Sequence, residues 1–269
     1  MIDYPEFKKL AGQLVGIDLS EYKSQQMDRR IHSLMQSWEV QDYDFFLELL
    51  NTNPQKYKEF VKKLTINVSE FFRNPERFEE LWRRVLPELL NDQHNLRIWS
   101  AGCSNGAEPY SVALIVQELG VADRVQIFGT DIDQVILAKA RDGVYEYNDL
   151  KNLPGEILAK YFTIQNNRYY LNSTVKSMVE FLTHNLLKDP FLSNFDLIIC
   201  RNVVIYFTEE AKKVLYEKFF NALKPGGYLL VGGTEPLLNY KKMGYISCSS
   251  SFYRKPLNSI PEGFLNDNR

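Results

Sequence analysis

The stretch from Arg97 to Leu119, with the sequence RIWSAGCSNGAEPYSVALIVQEL, constrains the fold of this chain most strongly. Ile98 and Trp99 form a short apolar run, and the small residues from Gly102 to Gly106 indicate a turn. The apolar residues after the turn recur with the spacing of a helix. This order of strand, small-residue turn and helix predicts an α/β unit whose glycines let a ligand approach the main chain above the strand.

A second apolar segment, from Val125 to Asp133, predicts a strand that ends in an acid, Asp131, 29 residues after Gly102. In a nucleoside-binding α/β unit, an acid at this position accepts hydrogen bonds from ribose hydroxyls. Without that acid, the turn would equally fit an α/β unit that binds no nucleoside. Glu108, at the start of the helix, would repel a pyrophosphate and therefore favours a nucleoside with a cationic group. S-adenosylmethionine carries an ammonium and a sulfonium and has no phosphate.

The composition argues against several classes of protein. The 269 residues suffice for one large or two smaller domains, and 32 Lys and Arg against 34 Asp and Glu do not suggest a nucleic acid or a membrane as partner. The three cysteines lie far apart without a CxxC spacing, which predicts neither a disulfide framework nor a metal site. Charged residues near the N-terminus and the lack of a long apolar run argue against a signal peptide or a membrane span, so we expect a cytoplasmic protein.

Residues 1–72 predict a helical domain. Ser20 is a suitable N-cap for a helix whose apolar residues recur on one side, and further helices are expected from Asp42 to Leu50 and from Pro54 to Leu64. The other faces of the Ser20 helix carry three cations: Lys23, Arg29 and Arg30. These side chains form either an ordinary solvated face or a small basic surface for an acidic partner, and the sequence leaves both interpretations open.

Residues 73–94 predict a linker helix, with Asn74 as a natural cap and Pro75 as a natural first helical residue. Just upstream, Asn67 and Ser69 suit either turn capping or ligand contacts, since clefts at domain junctions are common ligand sites. Arg73 is harder to explain by packing, because its guanidinium can bind a carboxylate through two parallel hydrogen bonds.

The sequence predicts an α/β domain at 95–258, with an antiparallel insertion at about 143–178, and a polar tail at 259–269. Within the insertion, an Asn-rich turn at 165–167 between two β-prone runs indicates a hairpin. His184 follows a strand and is expected to pack or to form hydrogen bonds rather than to act as a base. The remaining expected elements are a helix at 134–141, strands at 179–187 and 195–207 with a break at Arg201 and Asn202, a helix from Thr208 to about Leu223, and strands within 227–235 and 245–255.

Four strand ends should face one crevice, because doubly wound sheets bind ligands outside the carboxyl ends of their strands at the topological switch point. They are the Gly102 to Gly106 turn, Asp131, Asn185 and Asn202. Asp131 would hold a ribose. Asn185 and Asn202, with the main-chain amides of Leu186 and Val203, would contact an adenine edge and the rest of the ligand.

The motifs AGCSNGAEPYS, GTDID, HNLL, CRNVVIYF and KPGGYLLVGGTE, with TINVSEFFR upstream, resemble in sequence and order those of the CheR-type chemotaxis receptor methyltransferases. The resemblance covers residues 1–255. It implies an all-α N-terminal domain followed by an α/β, class I (Rossmann-like) methyltransferase domain with a small antiparallel β insertion. It also implies S-adenosylmethionine as cofactor, S-adenosylhomocysteine as product, and glutamyl methyl esters on the cytoplasmic helices of methyl-accepting chemotaxis receptors.

Carried over by position, the resemblance implies cofactor contacts from nine residues: Asn67, Ser69, Arg73, Glu108, Asp131, Asn185, Leu186, Asn202 and Val203. The chain departs from many members at Asn105-Gly106-Ala107, where they have threonine, glycine and glutamate, but it keeps the acid at Glu108. The basic side of the Ser20 helix, Lys23, Arg29 and Arg30, is expected to meet an acidic receptor helix. We expect a monomer without a nucleic-acid partner and without direct membrane insertion.

The proposed chemistry needs few catalytic groups. A glutamate side chain, with a reference pKa of about 4.3, is ionised at neutral pH and can attack a sulfonium methyl group without a strong general base. The enzyme has to align the reacting atoms and remove water from the carboxylate. Our hypotheses for catalytic residues are Arg73, which would steer the glutamate or hold the cofactor carboxylate, and Tyr206, which would line the transfer site or merely pack in its apolar run.

Two alternatives remain at this point. One is a related methyltransferase with another protein or small-molecule acceptor, since a fold does not determine a function. The other is a non-catalytic domain that binds the cofactor for signalling. Asp131, Glu108 and Arg73 together count against the second alternative.

Overall fold

A computed structural model describes residues 2–65 and 67–257. Within these residues the chain forms two compact units. The helical unit contains residues 2–65, 67 and 205–214, and the sheet unit contains residues 68–204 and 215–257. The tail expected at 259–269 lies outside the described residues. No helix among the described residues is long and apolar enough to cross a membrane.

The helical unit is built on four helices, which are α1 (Tyr4–Val15), α2 (Ser24–Ser37), α3 (Tyr43–Thr52) and α4 (Pro54–Leu64). The helices predicted at 42–50 and 54–64 are confirmed. Asp42 and Asn53 cap α3 and α4 through side-chain oxygens that accept hydrogen bonds from amides of the first turn. Phe7, Phe46 and Phe60 are fully buried and pack edge to face in the core of this unit.

The prediction that Ser20 caps α2 is wrong. Ser20 lies in a separate 3₁₀ turn, where it donates its amide and hydroxyl to Asp18. The next residues are extended, since Tyr22 forms a β-bridge with Phe207 and the amide of Lys23 donates to the carbonyl of Tyr206. This long-range pairing holds the main chain out of the helical conformation, so α2 begins at Ser24 without a side-chain cap.

The linker helix begins at Pro75, as predicted. It consists of α5 (Pro75–Glu80), a π-helical turn (Leu81–Val85) and α6 (Leu86–Asp92). Pro87 has no amide hydrogen to give to the preceding turn, and a π-helical turn is one way in which a helix adjusts to such a residue. Asn74 occupies the N-cap position of α5, as predicted, but its side chain makes no capping hydrogen bond.

The sheet unit has ten strands and five further helices. The strands are β1 (Leu96–Ala101), β2 (Val125–Asp131), β3 (Val144–Tyr145), β4 (Phe162–Gln165), β5 (Arg168–Leu171), β6 (Val179–Thr183), β7 (Phe195–Cys200), β8 (Leu223–Val231), β9 (Ile246–Ser247) and β10 (Phe252–Arg254). The helices are α7 (Ala107–Glu118), α8 (Gln134–Asp142), α9 (Gly155–Tyr161), α10 (Ser173–Lys176) and α11 (Glu209–Ala222), whose first residues belong to the helical unit.

Seven strands form the main sheet in the order β6-β2-β1-β7-β8-β10-β9. The strands from β6 to β8 are parallel, and β10 is antiparallel to both of its neighbours. The chain moves outward from β1 through β2 to β6 and then returns to β7 on the other side of β1. This reversal places the topological switch point between β1 and β7.

The insertion is a separate three-stranded antiparallel sheet in the order β3-β5-β4. Asn166 and Asn167 connect β4 to β5 with φ of +49° and +60°. Two successive positive φ angles are typical of the two-residue hairpin turn that asparagine favours. The predicted antiparallel hairpin is therefore confirmed.

Three strand predictions needed correction. The strand predicted at 179–187 ends at Thr183. The apolar run at 195–207 is a strand as far as Cys200, in agreement with the break predicted at Arg201 and Asn202, but Val204–Tyr206 beyond the break forms a 3₁₀ turn. The single strand expected within 245–255 is two short strands, β9 and β10, that pair with each other. All six residues of β7 are buried, as expected for a central parallel strand.

Candidate functional site

The turn after β1 is tied to the end of β2 by main-chain hydrogen bonds. The amides of Gly102 and Cys103 both donate to the carbonyl oxygen of Thr130, each at 2.8 Å. Gly102 has a φ of +80°, and a Cβ atom there would lie 2.5 Å from Cγ2 of Val203. Glycine is therefore needed for the turn after β7 to approach the turn after β1. The turns after β1, β2 and β7 meet at the switch point.

Asp131 ends β2 and is 9% exposed. Its carboxylate accepts hydrogen bonds from the amides of Ser104, at 2.9 Å, and Asp133, at 3.0 Å. Burial raises the pKa of Asp131, and these two amides partly offset that effect by stabilising the ionised form. A carboxylate offers about four lone-pair sites, so acceptor capacity remains for a hydroxyl donor beside the main-chain amides.

Glu108 is the second residue of α7. Its Oε1 accepts a hydrogen bond from Oγ of Ser100 at 2.8 Å, and its Oε2 lies 3.3 Å from Nη1 of Arg201. Burial raises the pKa of Glu108, while Arg201 and Ser100 oppose the increase. Glu108 therefore forms an ion pair with Arg201, which the sequence did not predict.

Arg201 follows β7 and is 5% exposed. Besides Glu108, it contacts the segment before the linker helix, where Nη2 donates to the carbonyl of Arg73 and to Oδ1 of Asn74, both at 2.7 Å. The guanidinium also lies 5.4 Å from the centre of the Phe78 ring. Arg201 thus joins three parts of the sheet unit: the end of β7, the first turn of α7 and the segment before α5.

Asn202 has a φ of +59°, an uncommon conformation that asparagine tolerates better than most residues. Its amide donates to Oε2 of Glu235 at 2.6 Å, and the same oxygen accepts from the amide of Gly232 at 3.1 Å. Glu235 is buried. A Cβ atom on Gly232 would collide with the Glu235 carboxylate. The Gly-Gly-Thr-Glu segment after β8 therefore supports the main chain at Asn202.

Asn185 and Leu186 lie in the turn after β6. The Oδ1 atom of Asn185 accepts hydrogen bonds from the amides of Leu187, at 3.0 Å, and Lys188, at 3.3 Å. The preceding residue, His184, donates its amide to the carbonyl of Asp131 at 3.0 Å. These bonds give Asn185 a structural role in shaping a turn beside Asp131, and Leu186 is buried there.

Ser69 and Arg73 are half-buried in the segment between Val68 and Asn74. Nη1 of Arg73 donates to the carbonyl of Val68 at 3.0 Å. The predicted residues Glu108 and Arg73 do not contact each other directly, but Arg201 contacts both. The sheet unit thus brings most of the predicted residues to the carboxyl edge of the parallel strands and the segment next to it.

The other predicted residues lie in the helical unit: Asn67, Tyr206, Lys23, Arg29 and Arg30. Nδ2 of Asn67 donates to Oγ1 of Thr65 at 3.2 Å. Lys23 and Arg29 are exposed, whereas Arg30 is half-buried. The Arg30 guanidinium donates to the carbonyl of Leu64 at 2.9 Å and lies 4.9 Å from the centre of the Tyr206 ring. Arg30 therefore differs from the two cations with which it was grouped.

Sequence reasoning did not identify Arg201 and Glu235 as site residues. Each is a charged residue close behind a continuous apolar strand, in CRN and in GGTE. Charged residues are seldom fully buried unless they are paired, so a charge at the end of a buried strand is a usable signal. Their partners, Glu108 and the amide of Asn202, lie 93 and 33 residues away and are not visible in the sequence.

Comparison with known proteins adds an independent finding. Residues 2–65 match the family model described as "CheR methyltransferase, all-alpha domain", and residues 67–252 match "CheR methyltransferase, SAM binding domain". A chemotaxis protein methyltransferase of Listeria monocytogenes is 37% identical over 254 residues, which cover 94% of this chain and 97% of that protein. The chain is also similar to a chemotaxis protein methyltransferase of Borreliella burgdorferi (37% identical, covering 86% of this chain and 87% of that one) and to chemotaxis protein methyltransferase 1 of Pseudomonas aeruginosa (34% identical, covering 88% and 91%).

Proposed function

Since the chain belongs to the CheR methyltransferase family and is an S-adenosylmethionine-dependent methyltransferase, we propose that it methylates glutamate side chains of methyl-accepting chemotaxis receptors. The product is a glutamyl methyl ester. The observation that carries this proposal is that two acids, the buried Asp131 and the part-buried Glu108, lie at the turns around the switch point. Two carboxylates at this place suit a ribose and a cationic tail rather than a phosphate.

The residues present fit the cofactor. Asp131 retains acceptor capacity for ribose hydroxyls beside the amides that it already binds. Gly102 leaves the main chain after β1 accessible to a ligand, at a position where a side chain would clash with Val203. The turn after β1 also offers a buried hydroxyl, because Oγ of Ser104 has no hydrogen-bond partner among the residues that the structure describes. An unsatisfied hydroxyl of this kind suits a ligand that can bond to it.

The proposed roles follow from these positions. Bound S-adenosylmethionine supplies an electrophilic methyl group on a sulfonium. Asp131 binds the ribose, while the turns at Asn185-Leu186 and Asn202-Val203 orient the base. Glu108 balances the cationic tail, and Asn67, Ser69 and Arg73 bind the rest of the cofactor.

The acceptor needs alignment rather than deprotonation. A glutamate with a pKa of about 4.3 arrives ionised, so the chain has to orient its carboxylate and exclude water from it. We assign this work to Arg73, by a charge-assisted hydrogen bond, and to Tyr206, as part of the wall of the transfer site. We assign recognition of acidic receptor helices to the exposed cations Lys23 and Arg29, together with Arg30. A cytoplasmic monomer is the form in which the protein would act.

The experiment is transfer of a labelled methyl group from S-adenosylmethionine to cytoplasmic fragments of chemotaxis receptors. We expect label on the fragment that base releases as methanol, because carboxylic esters hydrolyse readily. The Asp131→Ala variant, with Asp123→Asn as a control at an exposed acid just before β2, should lose the label. Label that resists base would indicate an N- or C-methyl product and a different acceptor. A bound but unreacted cofactor would indicate a non-catalytic domain.

A further inference from the structure

The Arg201 cluster consists of Arg201, Glu108, Asn74 and the main-chain carbonyl of Arg73. A buried arginine requires compensation, because an unpaired ion in a protein interior is strongly unfavourable. Only 1% of the Arg201 side chain is exposed. The planar guanidinium contacts Glu108 through Nη1. Through Nη2 it donates to the carbonyl of Arg73 and to Oδ1 of Asn74. A lysine could not make these contacts with the same fixed geometry.

The segment that Arg201 holds is conformationally unusual. Phe72 and Asn74 have φ of +51° and +59°, on either side of Arg73. A positive φ is uncommon for a bulky residue such as phenylalanine and persists only where surrounding contacts impose it. The amide of Phe72 donates to Oγ of Ser111 at 3.0 Å, and Arg201 holds the other side of Arg73. The direction in which Arg73 leaves the main chain therefore depends on these two anchors.

The same arginine determines the environment of Glu108. The charged groups that act on Glu108 are Arg201 at the end of β7 and Glu235 after β8. Glu108 in turn helps to raise the pKa of two buried thiols, Cys103 after β1 and Cys200 at the end of β7. Among these groups Arg201 alone is a cation. Without Arg201, the carboxylate of Glu108 would keep the hydrogen bond from Ser100 but would face the like charge of Glu235 with no cation among these groups to balance it.

We propose that Arg201 is a positioning residue for cofactor binding. It holds the carboxylate of Glu108 and the main chain at Arg73 in the arrangement that the cofactor requires, without itself forming part of the binding surface. The inference deepens the proposed function, on which it rests for the roles of Glu108 and Arg73.

The test is calorimetric titration of the purified full-length chain with S-adenosylhomocysteine at several pH values between 6 and 8. Arg201→Lys keeps the charge but loses the planar guanidinium, so its affinity should fall roughly tenfold at every pH, about the effect of one hydrogen bond to a charged group. Arg201→Met also loses the charge. Its affinity should fall further toward pH 6 than that of the wild type, because Glu108 then takes up a proton.

Two more variants separate the parts of the cluster. In Arg201→Met combined with Glu108→Gln, the extra pH dependence should disappear, because the group that titrates is gone. Asn74→Gly keeps the positive φ accessible but removes the Oδ1 acceptor, so its affinity should fall several-fold with a thermal midpoint near that of the wild type. Asn74→Gly and Arg201→Lys keep the test decisive if Arg201→Met does not fold.

Arg124 offers a matched control. It also donates hydrogen bonds from its guanidinium to main-chain carbonyls, those of Leu90 in α6 and of Gln93 and His94 before β1. Arg124→Lys should lower the thermal midpoint without changing the affinity or its pH profile. The proposal is overturned if Arg201→Lys and Asn74→Gly bind with wild-type affinity, or if Arg201→Met has the pH profile of the wild type. The titration needs no receptor, so a failure of glutamate methylation leaves it valid.

Discussion

Asp131 is buried and Glu108 is part-buried, and the partners of their carboxylates differ in kind. Main-chain amides bind Asp131, whereas an arginine and a serine hydroxyl bind Glu108. Amide partners stabilise the ionised form of Asp131 without neutralising its charge, and they fix the orientation of the carboxylate. At the scale of single residues, this difference suits Asp131 to accept hydrogen bonds from neutral hydroxyls and Glu108 to act within a network of charges.

Replacing Asp131 with Ala should lower the affinity for S-adenosylhomocysteine. Hydrogen bonds to a charged group contribute about 1.5–3 kcal/mol each, so we expect a loss of roughly 10- to 150-fold. Calorimetric titration measures this change, with Asp123→Asn as the control for removal of an exposed acid. Equal affinities of Asp131→Ala and the wild type would remove Asp131 from the ribose site.

The raised pKa of Asp131 predicts two opposite pH trends. The free protein binds the Asp131 proton more tightly than the unfolded chain does, so the contribution of this group to the free energy of unfolding is present at low pH and is lost as pH rises through the raised pKa. Ligand affinity should instead rise over the same range, as the carboxylate ionises. Denaturant unfolding and titration of the wild type and Asp131→Asn give the two difference profiles. Parallel trends would contradict this assignment.

Replacing Arg73 should affect methyl transfer much more than the free energy of unfolding. Its side chain is half-buried and makes one hydrogen bond to a neighbouring carbonyl. Arg73→Ala should therefore change the free energy of unfolding by about 1.5 kcal/mol, the lower end for a hydrogen bond to a charged group, while methyl transfer falls far more. Steady-state kinetics with a receptor fragment and urea unfolding give the two values. Unchanged turnover would exclude Arg73 from the mechanism.

At the scale of elements, the turn between β1 and α7 determines how closely the strand ends approach one another. Gly106 has a φ of +82°, and a Cβ atom there would lie 2.9 Å from Cβ of Ala140 and 3.0 Å from the Phe181 ring. Gly120, after α7, also has a positive φ, +66°, but a Cβ atom there would meet open space. The two glycines therefore form a natural pair for measuring crowding separately from backbone strain.

Gly106→Ala should destabilise the protein more than Gly120→Ala. Both substitutions impose the backbone cost of a positive φ, about 1 kcal/mol, and Gly106→Ala adds overpacking of about 1–3 kcal/mol. Urea unfolding of the two variants and the wild type measures the difference. Equal destabilisation would show that Ala140 and Phe181 move aside without strain.

The order of the elements was predictable from the sequence because it depends on local patterns. The strands β1, β2 and β7 follow from apolar runs, and the hairpin from its asparagine turn. The errors arose where distant residues decide the conformation. Ser20 has the chemistry of a cap, yet pairing of Tyr22 and Lys23 with residues near 206 delays the helix. Asn74 likewise has the chemistry of a cap, yet its oxygen binds Arg201.

At the scale of the whole molecule, residues 205–214 follow β7 in the chain but belong to the helical unit. Within that unit, Thr208 donates its amide to the carbonyl of Glu21, and Arg30 stacks on Tyr206. No local pattern predicts this grouping, since residues 21–30 and 205–208 are far apart along the chain. One consequence is that Arg30 has a structural partner, whereas Lys23 and Arg29 present their charges to solvent.

The three cations should therefore respond differently to charge reversal. Lys23→Glu and Arg29→Glu should raise the apparent KM for an acidic receptor fragment, more at low salt than at high salt, and leave affinity for S-adenosylhomocysteine unchanged. Arg30→Glu should in addition lower the thermal midpoint, because it removes the stacking on Tyr206 and the bond to Leu64.

Lys9→Glu is the matched control, since Lys9 is an exposed lysine on α1. Steady-state kinetics at two ionic strengths, calorimetric titration and thermal unfolding provide the three readouts. If Lys9→Glu raises KM as much as Lys23→Glu does, the increase comes from the change in net charge and not from the position of Lys23. If Lys23→Glu or Arg29→Glu lowers the affinity for S-adenosylhomocysteine, these cations have a structural role and do not serve receptor recognition.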